Sequence, residues 1–448
     1  MQNSLLVLGT ENIGKLLRKY SVPAIIAMTA SSLYHIIDSI FICHGVGALA
    51  ISGLAITFPL MNLAAAFGSL VGVGASTLVS VKLGQKDYKN ANKVLGNVLI
   101  MNMVLGVAFT LVCLPFLDEI LYFFGASEHT IVYAREYMQI ILLGNVVTHM
   151  FLGLNAVMRS SGYPAKAMAA TLMSVILNCI LVPIFIFGLN MGVRGAAIAT
   201  ILAQVVSLSW QMIHFSKKEQ VLHFRKENLK LKHDLVKGII SIGLSPFLMN
   251  ICSCLIVILI NRGLKEYSGD MAVGAYGIVN RLAMLFIMIV FGLNQGMQPI
   301  AGYNFGAKNF DRVLSVAKMT IYYGIAVTTF GFAICEFFPA FIAGLFTSDA
   351  NLIKEAVFGI RIVFVLFPVV GFQSVSSNFF LSIGRSQQAI FLSLTRQVIF
   401  LIPLLIILPK FFETFGVWVS LPLSDLLSTV VTAILLFHEF KKINKQIQ

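Results

Sequence analysis

Leu83-Gly84-Gln85-Lys86-Asp87-Tyr88 returns 222 residues later as Phe305-Gly306-Ala307-Lys308-Asn309-Phe310, and that return decides the fold. Other landmarks recur at nearly the same offset. Gly74 corresponds to Gly296, Ala50-Ile51 to Ala272-Val273, Gly162 to Gly384, Gly195 to Gly416 and Gln204 to Asp425. Near the starts of the two stretches, Ser21-Val22-Pro23 answers Leu244-Ser245-Pro246. The chain is two copies of one unit, so whatever fold one copy adopts the other repeats.

Composition places both copies in a membrane. Of 448 residues 58% are hydrophobic and 11% charged, and the mean hydropathy is +0.88. Apolar runs of the length needed to cross a hydrocarbon core occupy roughly 21–43, 53–81, 94–116, 133–157, 166–188, 193–215, 238–261, 272–301, 314–338, 357–380, 388–409 and 416–438. The first run is long, with a modestly basic leader and no small-residue cleavage site, and reads as a retained helix rather than a removed signal. The sequence therefore predicts an all-α integral membrane protein of twelve transmembrane helices in two six-helix repeats. Six is even, so both copies enter from the same face as parallel repeats, an arrangement in which transporter halves enclose a central cavity. The expected domains are an N-terminal lobe over 1–215, a basic linker over 216–237 and a C-terminal lobe over 238–448.

The 32 Lys and Arg residues fix an orientation. Lys15, Arg18 and Lys19, the cluster Lys82 to Lys93, the linker and Lys441 to Lys445 share one side when both termini are cytoplasmic, as the positive-inside rule requires. The net charge of +13 is thus explained by topology and contact with anionic lipid heads, and points to no nucleic acid. Cys43, Cys113, Cys179, Cys252, Cys254 and Cys335 show no zinc-type spacing and read as packing residues. No phosphate-binding loop, zinc-helix pair or nucleophile elbow occurs. An enzyme is not expected, no cofactor is called for, and transport would draw on an ion gradient.

Ionisable residues inside the spans carry the chemistry, because an unpaired carboxylate at mid-bilayer costs at least about 2.5–3.5 kcal/mol. Asp38 stands out in Tyr34-His35-Ile36-Ile37-Asp38-Ser39, with Tyr34 one turn before it. Burial disfavours the charged form, so Asp38 is suited to take up a proton, or Na⁺ where further oxygens surround it. Asn178 and Thr200 offer neutral oxygens nearby in sequence order, and Asn261 stands where the second copy would repeat Asp38. Arg281 and Arg396 are costly intramembrane cations, with Asp425 a candidate partner for one of them.

Three patterns resemble the multidrug and toxic compound extrusion (MATE) family. They are Tyr34 to Phe41; Leu177-Asn178 followed by Gly192-Val193-Arg194-Gly195 to Thr200; and Gln295-Gly296-Met297-Gln298-Pro299 with Tyr303-Asn304-Phe305-Gly306-Ala307. The later stretches around Gly384, Arg396 and Gly416 look most like the DinF-type and staphylococcal multidrug exporters. The resemblance implies a cation-coupled antiporter in the bacterial plasma (inner) membrane that exports amphiphilic, often cationic compounds. It assigns cation coupling to Asp38, Asn178 and Thr200, which Tyr34 joins by its place on the helix. Val182 stands where related chains have an aspartate before the proline, here Pro183, which tilts the expected coupling ion toward H⁺ over Na⁺. Tyr137, Met61, Met288 and Phe286 are candidate substrate-lining residues, since Met and aromatic faces accommodate varied organic cations. Pro23, fifteen residues before Asp38, is the candidate hinge. A monomer is expected. The competing reading, a lipid-linked oligosaccharide flippase of related architecture, needs a cationic cavity for pyrophosphate, and only Arg281 and Arg396 are available inside the spans.

Overall fold

In hydrocarbon a segment must satisfy its own backbone, and a helix does this within itself. The computed structural model describes residues 7–447, with the side chains of 35, 36, 48 and 270 outside the described set. Among the described residues there is no strand. The first half runs α1 Ile13–Gly45, α2 Ala48–Gly84, α3 Tyr88–Cys113, a short α4 Leu117–Phe123, then α5 Ile131–Leu143 and α6 Asn145–Ser160, α7 Pro164–Pro183 and α8 Gly192–Ser216. In the second half the helical run His233–Gly306 is broken at Gly269 (φ 76°, ψ −167°) into α9 His233–Gly269 and α10 Met271–Gly306. There follow α11 Phe310–Phe337, a short α12 Pro339–Gly344, α13 Ala350–Phe364 and α14 Phe367–Ser382. Next, α15 Ser386–Leu394 passes through a π-helical stretch Thr395–Leu401 into α16 Ile402–Ile407, and α17 Pro409–Asn444 closes the chain.

Ten of these helices, counting α15 through α16 as one, are long and apolar enough to cross a membrane. Two bent pairs, α5 with α6 at 55° and α13 with α14 at 52°, bring the number to twelve when each is counted as one span. Each expected span falls on one of these. The duplication is visible in the irregularities as well: the bent pair is the fourth span of each half, and short α4 and α12 begin 222 residues apart. The loops that first revealed the repeat also match in backbone. Lys86 and Lys308 both stand at φ 59° in the left-handed region. The following amide donates back to the preceding helix in each, Asp87 to Lys82 at 2.9 Å and Asn309 to Asn304 at 2.8 Å. A lysine in that region costs about 1–2 kcal/mol relative to glycine, a cost that both copies carry.

The chain forms two compact units, which cut across the expected lobe boundaries in two places. Among the described residues the first holds 7–10 and 26–247, and the second 11–25 and 248–447. The start of α1 therefore belongs with the second unit and the start of α9 with the first. Repeat-related glycines explain both memberships. In the first unit α2 meets α9 so closely that a Cβ at Gly74 would collide with the Ile239 carbonyl oxygen. In the second, a Cβ on its counterpart Gly296 in α10 would collide with Ser21 of α1. Small residues let backbones approach where no aqueous hydrophobic effect drives helices together.

Between α8 and α9 the basic linker is strapped to the first unit rather than left as a free tether. Two buried asparagines on α3 clasp its backbone with both ends of their amides. Asn92 Nδ2 donates to the Val221 carbonyl (3.0 Å) and Oδ1 accepts from His223 N (2.9 Å). Asn97 Nδ2 donates to the Lys230 carbonyl (3.2 Å) and Oδ1 accepts from Lys232 N (3.0 Å). Between them Gly96 leaves room for the Asn228 carbonyl, which any Cβ would strike. At the N-terminus of α3, outside the span, burial pushes the Asp87 carboxyl upward, yet the donors of Asn90 and Lys82 outweigh it and hold it below the usual range.

Replacing Asn97 with alanine removes two hydrogen bonds to the strap, roughly 1–3 kcal/mol of local stability. Tryptic cleavage at Lys226 and Lys230 in the folded protein should accelerate about tenfold for each 1.4 kcal/mol lost. Cleavage at the wild-type rate would mean that the strap is held elsewhere.

Candidate functional site

The polar residues of the first unit's spans converge from four helices. Asp38 sits deep in α1 and is only 6% exposed; its Oδ1 has no hydrogen-bond partner among the described residues. Asn178 on α7 and Thr200 on α8, 3% and 5% exposed, meet directly: Asn178 Nδ2 donates to Thr200 Oγ1 at 2.9 Å. Thr200 Oγ1 donates in turn to the Ala196 carbonyl one turn back, at 3.1 Å. Tyr34 and Tyr137 lie beside Thr200, and both are close enough to Asp38 to feel its charge, as is Cys179. One hydroxyl thus holds an amide beside a carboxylate, with two phenols close by.

Local backbone features explain how α7 and α1 hold this arrangement. Pro183 ends α7 and removes a helical donor. The chain answers with a π-helical stretch, Ile184–Gly188, in which Leu189 N donates to the Ile184 carbonyl at 3.0 Å and Met191 N to that of Phe185 at 3.0 Å. Phe187 on this stretch packs edge-on against Phe41 of α1, with centroids 6.5 Å apart. Single-turn π segments of this kind recur at functional sites. Val182, fully buried in the apolar core of the unit, leaves Asp38 as the carboxylate of the cluster.

The other expected site residues are distributed differently. Tyr137, expected to line a substrate surface, is 2% exposed and belongs to the Asp38 cluster. Met61 is half-buried on α2 against the first unit's core and accepts from Thr57 Oγ1 at 3.7 Å. Phe286 packs on Phe367 in the core of the second unit, with centroids 6.1 Å apart, and Met288 is half-buried on the same helix α10. Pro23 lies inside α1 two residues before the chain passes from the second unit to the first, and Pro246 holds the matching place in α9. The side chain of His35 lies outside the described residues.

The second unit has a polar centre of another kind. Arg396, on the π-helical stretch, donates from Nε to Asp425 Oδ1 at 2.5 Å, and Gln397 Nε2 donates to Ser253 Oγ at 3.0 Å. At the place of Asp425 the first copy has Gln204, which accepts from Thr148 at 2.5 Å. Arg281 is exposed on α10 without an ion pair among the described residues. The sequence reading did not connect Tyr137 or Cys179 with Asp38. Cys179 adjoins Asn178 in sequence, but nothing in the sequence places α5 beside α1.

The MatE family model matches residues 23–184 and 242–407, one match in each copy. The chain belongs to the MatE family. Curated relatives of this MatE chain include the multidrug export protein MepA of Staphylococcus haemolyticus (strain JCSC1435). It is 30% identical over 419 residues, covering 92% of this chain and 91% of the relative. MepA of Staphylococcus aureus (strain MSSA476) is 30% identical over 427 residues, covering 94% and 93%. Among solved structures, the MATE multidrug transporter DinF-BH is 36% identical, with a TM-score of 0.89 over 96% of both chains. A MOP superfamily transporter from Pyrococcus furiosus Vc1 (DSM3638), 23% identical with a TM-score of 0.91 over 98% of both chains, shares the fold. The protein is therefore a multi-pass membrane protein of the MatE fold.

Thr200→Val should strand Asn178 Nδ2, at a cost of roughly 1–3 kcal/mol for an unsatisfied buried group. The detergent-solubilised variant should melt several degrees lower, and Thr200→Ser should restore the wild-type value. Equal melting temperatures for wild type and Thr200→Val would remove Thr200 from the centre of the network.

Proposed function

We propose that this MatE protein is a proton-coupled antiporter that exports amphiphilic, often cationic organic compounds across a bacterial plasma membrane, working as a monomer and without a cofactor. The carrying observation is Asp38, a buried carboxylate whose Oδ1 finds no donor among the described residues, while Asn178 and Thr200 pair with each other beside it. A carboxylate so placed is more stable neutral than charged. Protonation from the side of higher proton activity would leave a neutral, buried acid, and release toward the cytoplasm would restore a charge that attracts a cationic substrate. Coupling then requires only that the proton favour one conformation over the other.

A proton is favoured over Na⁺ on chemical grounds. Hard cations take several oxygen ligands; here the cluster offers one carboxylate, and Asn178 and Thr200 are engaged with each other and with Ala196. The names of the staphylococcal relatives support the multidrug substrate class. The arginine that a pyrophosphate-binding flippase would use at mid-span, Arg396, is already held by Asp425. The exposed Lys226 of the linker and the other basic loops support a cytoplasmic position for both termini.

Asp38→Asn keeps shape and burial but cannot titrate, so export from proteoliposomes driven by a pH gradient should fall to background with the protein still monodisperse. Retained export by that variant would sink the assignment. Efflux indifferent to a pH gradient but driven by Na⁺ would replace the proton as coupling ion. Cysteines placed at Lys226 and Lys265 in a cysteine-free background should label from opposite sides of the membrane with an impermeant thiol reagent; labelling from one side would overturn the topology.

A further inference from the structure

In the second unit α13 and α17 pack at Gly359 against Trp418 and at Phe358 against Phe415, and leave a slot beside these contacts. Gly359 receives the fully buried Trp418 ring, which any Cβ there would strike. Just beyond, α13 ends and the chain bends by 52° into α14, while α17 continues inward past Pro422. A cavity of about 390 Å³ lies here, with Arg361, Ile362 and Val365 on one wall and Phe415, Val419 and Leu423 on the other. Arg361 and Val365 on one wall, and Phe415, Val419 and Leu423 on the other, follow i, i+4 spacing, one stripe of each helix.

The slot itself is lined almost wholly by apolar surface, and the exposed Arg361 stands at the end nearest the membrane boundary. Arg361 lies four residues inside the expected span 357–380, and Phe415 one residue before the span 416–438, so the mouth sits at a membrane boundary. From Phe415 to Leu423 the wall descends roughly 12 Å into hydrocarbon at 1.5 Å per residue. Arg361 is exposed and donates no hydrogen bond among the described residues. Glu336, at the end of α11, is near enough to feel its charge but forms no ion pair with it. A guanidinium with free donors takes a phosphate well, in bidentate fashion. A cationic amphiphile would be repelled at that mouth, and a neutral one would leave the guanidinium unused.

We infer that this slot binds one anionic phospholipid, its phosphate on Arg361 and one acyl chain along Phe415, Val419 and Leu423. The chain fills the opening beside the α13–α14 bend, so the lipid stabilises that bend. The inference is independent of the proposed transport activity, because it rests on α13 and α17 and not on Asp38.

Native mass spectrometry of the delipidated full-length protein, titrated with phosphatidylglycerol and with phosphatidylcholine of identical chains, tests it. Wild type should bind one phosphatidylglycerol at least tenfold more tightly than phosphatidylcholine. Arg361→Gln should bring phosphatidylglycerol down to the phosphatidylcholine level, and Val419→Trp, filling the slot, should weaken both. Leu423→Trp serves where Val419→Trp does not yield folded protein. Unchanged phosphatidylglycerol binding by Arg361→Gln or by the slot-filling variant would overturn the inference. So would full competition by soluble glycerophosphoglycerol, which carries the phosphate without a chain, or displacement of the lipid by tetraphenylphosphonium, a cationic amphiphile, at equal concentration.

Discussion

Backbone hydrogen bonding in hydrocarbon is the constraint on which everything else in this protein rests. With no water to accept an unpaired N–H, the spans have to be helical, and each departure from a helix has to be repaired within a few residues. Two of its departures run through π-helical stretches. Pro183 is followed by the π-helical stretch Ile184–Gly188, and a second such stretch, Thr395–Leu401, precedes Pro403. Both carry or adjoin the polar side chains of their unit. Asn178 and Cys179 lie on α7 in the two turns before the first, and Arg396 and Gln397 lie within the second.

Duplication gave the two copies one scaffold, and substitution gave them different chemistry. Asn261 stands in the second copy where the first has Asp38, and Gln204 in the first where the second has Asp425. The acid of the first unit has no charged partner among the described residues, so its protonation state can respond to its surroundings. That of the second is tied to Arg396, and breaking such a pair from one side costs several kcal/mol. The first arrangement suits a group that changes charge during a cycle. The second suits a fixed brace between α17 and the π-helical stretch after α15.

The exchange of helix starts between the units follows from the same repeat. Gly74 and Gly296 are equivalent positions, and each accepts the backbone of a first helix whose proline, Pro246 or Pro23, lies within two residues of the point where that helix changes unit. A proline lacks the donor that would tie one turn to the next, so the change of membership coincides with the weakest point in the helix ladder. Asp38 lies beyond that point, with the first unit.

Hydropathy and repetition make the fold legible in the sequence. Twelve apolar runs, an even number per copy and the matched Lys86 and Lys308 loops determined helices, duplication and the family resemblance, because span length and backbone pairing leave an apolar chain no other structure. Asp38, Asn178 and Thr200 were legible for a related reason: polar groups at membrane depth are too costly to be incidental. Tertiary structure alone decided that Tyr137 joins them while Phe286 is core, since aromatic residues suit either environment and no periodicity tells which neighbour a helix face meets. It also decided the clasp of Asn92 and Asn97 on the linker, the exchange of helix starts and the slot below Arg361. Each of these depends on contacts between segments distant in sequence, and the sequence records the side chains that make such contacts but not the close approach of backbones that brings them together.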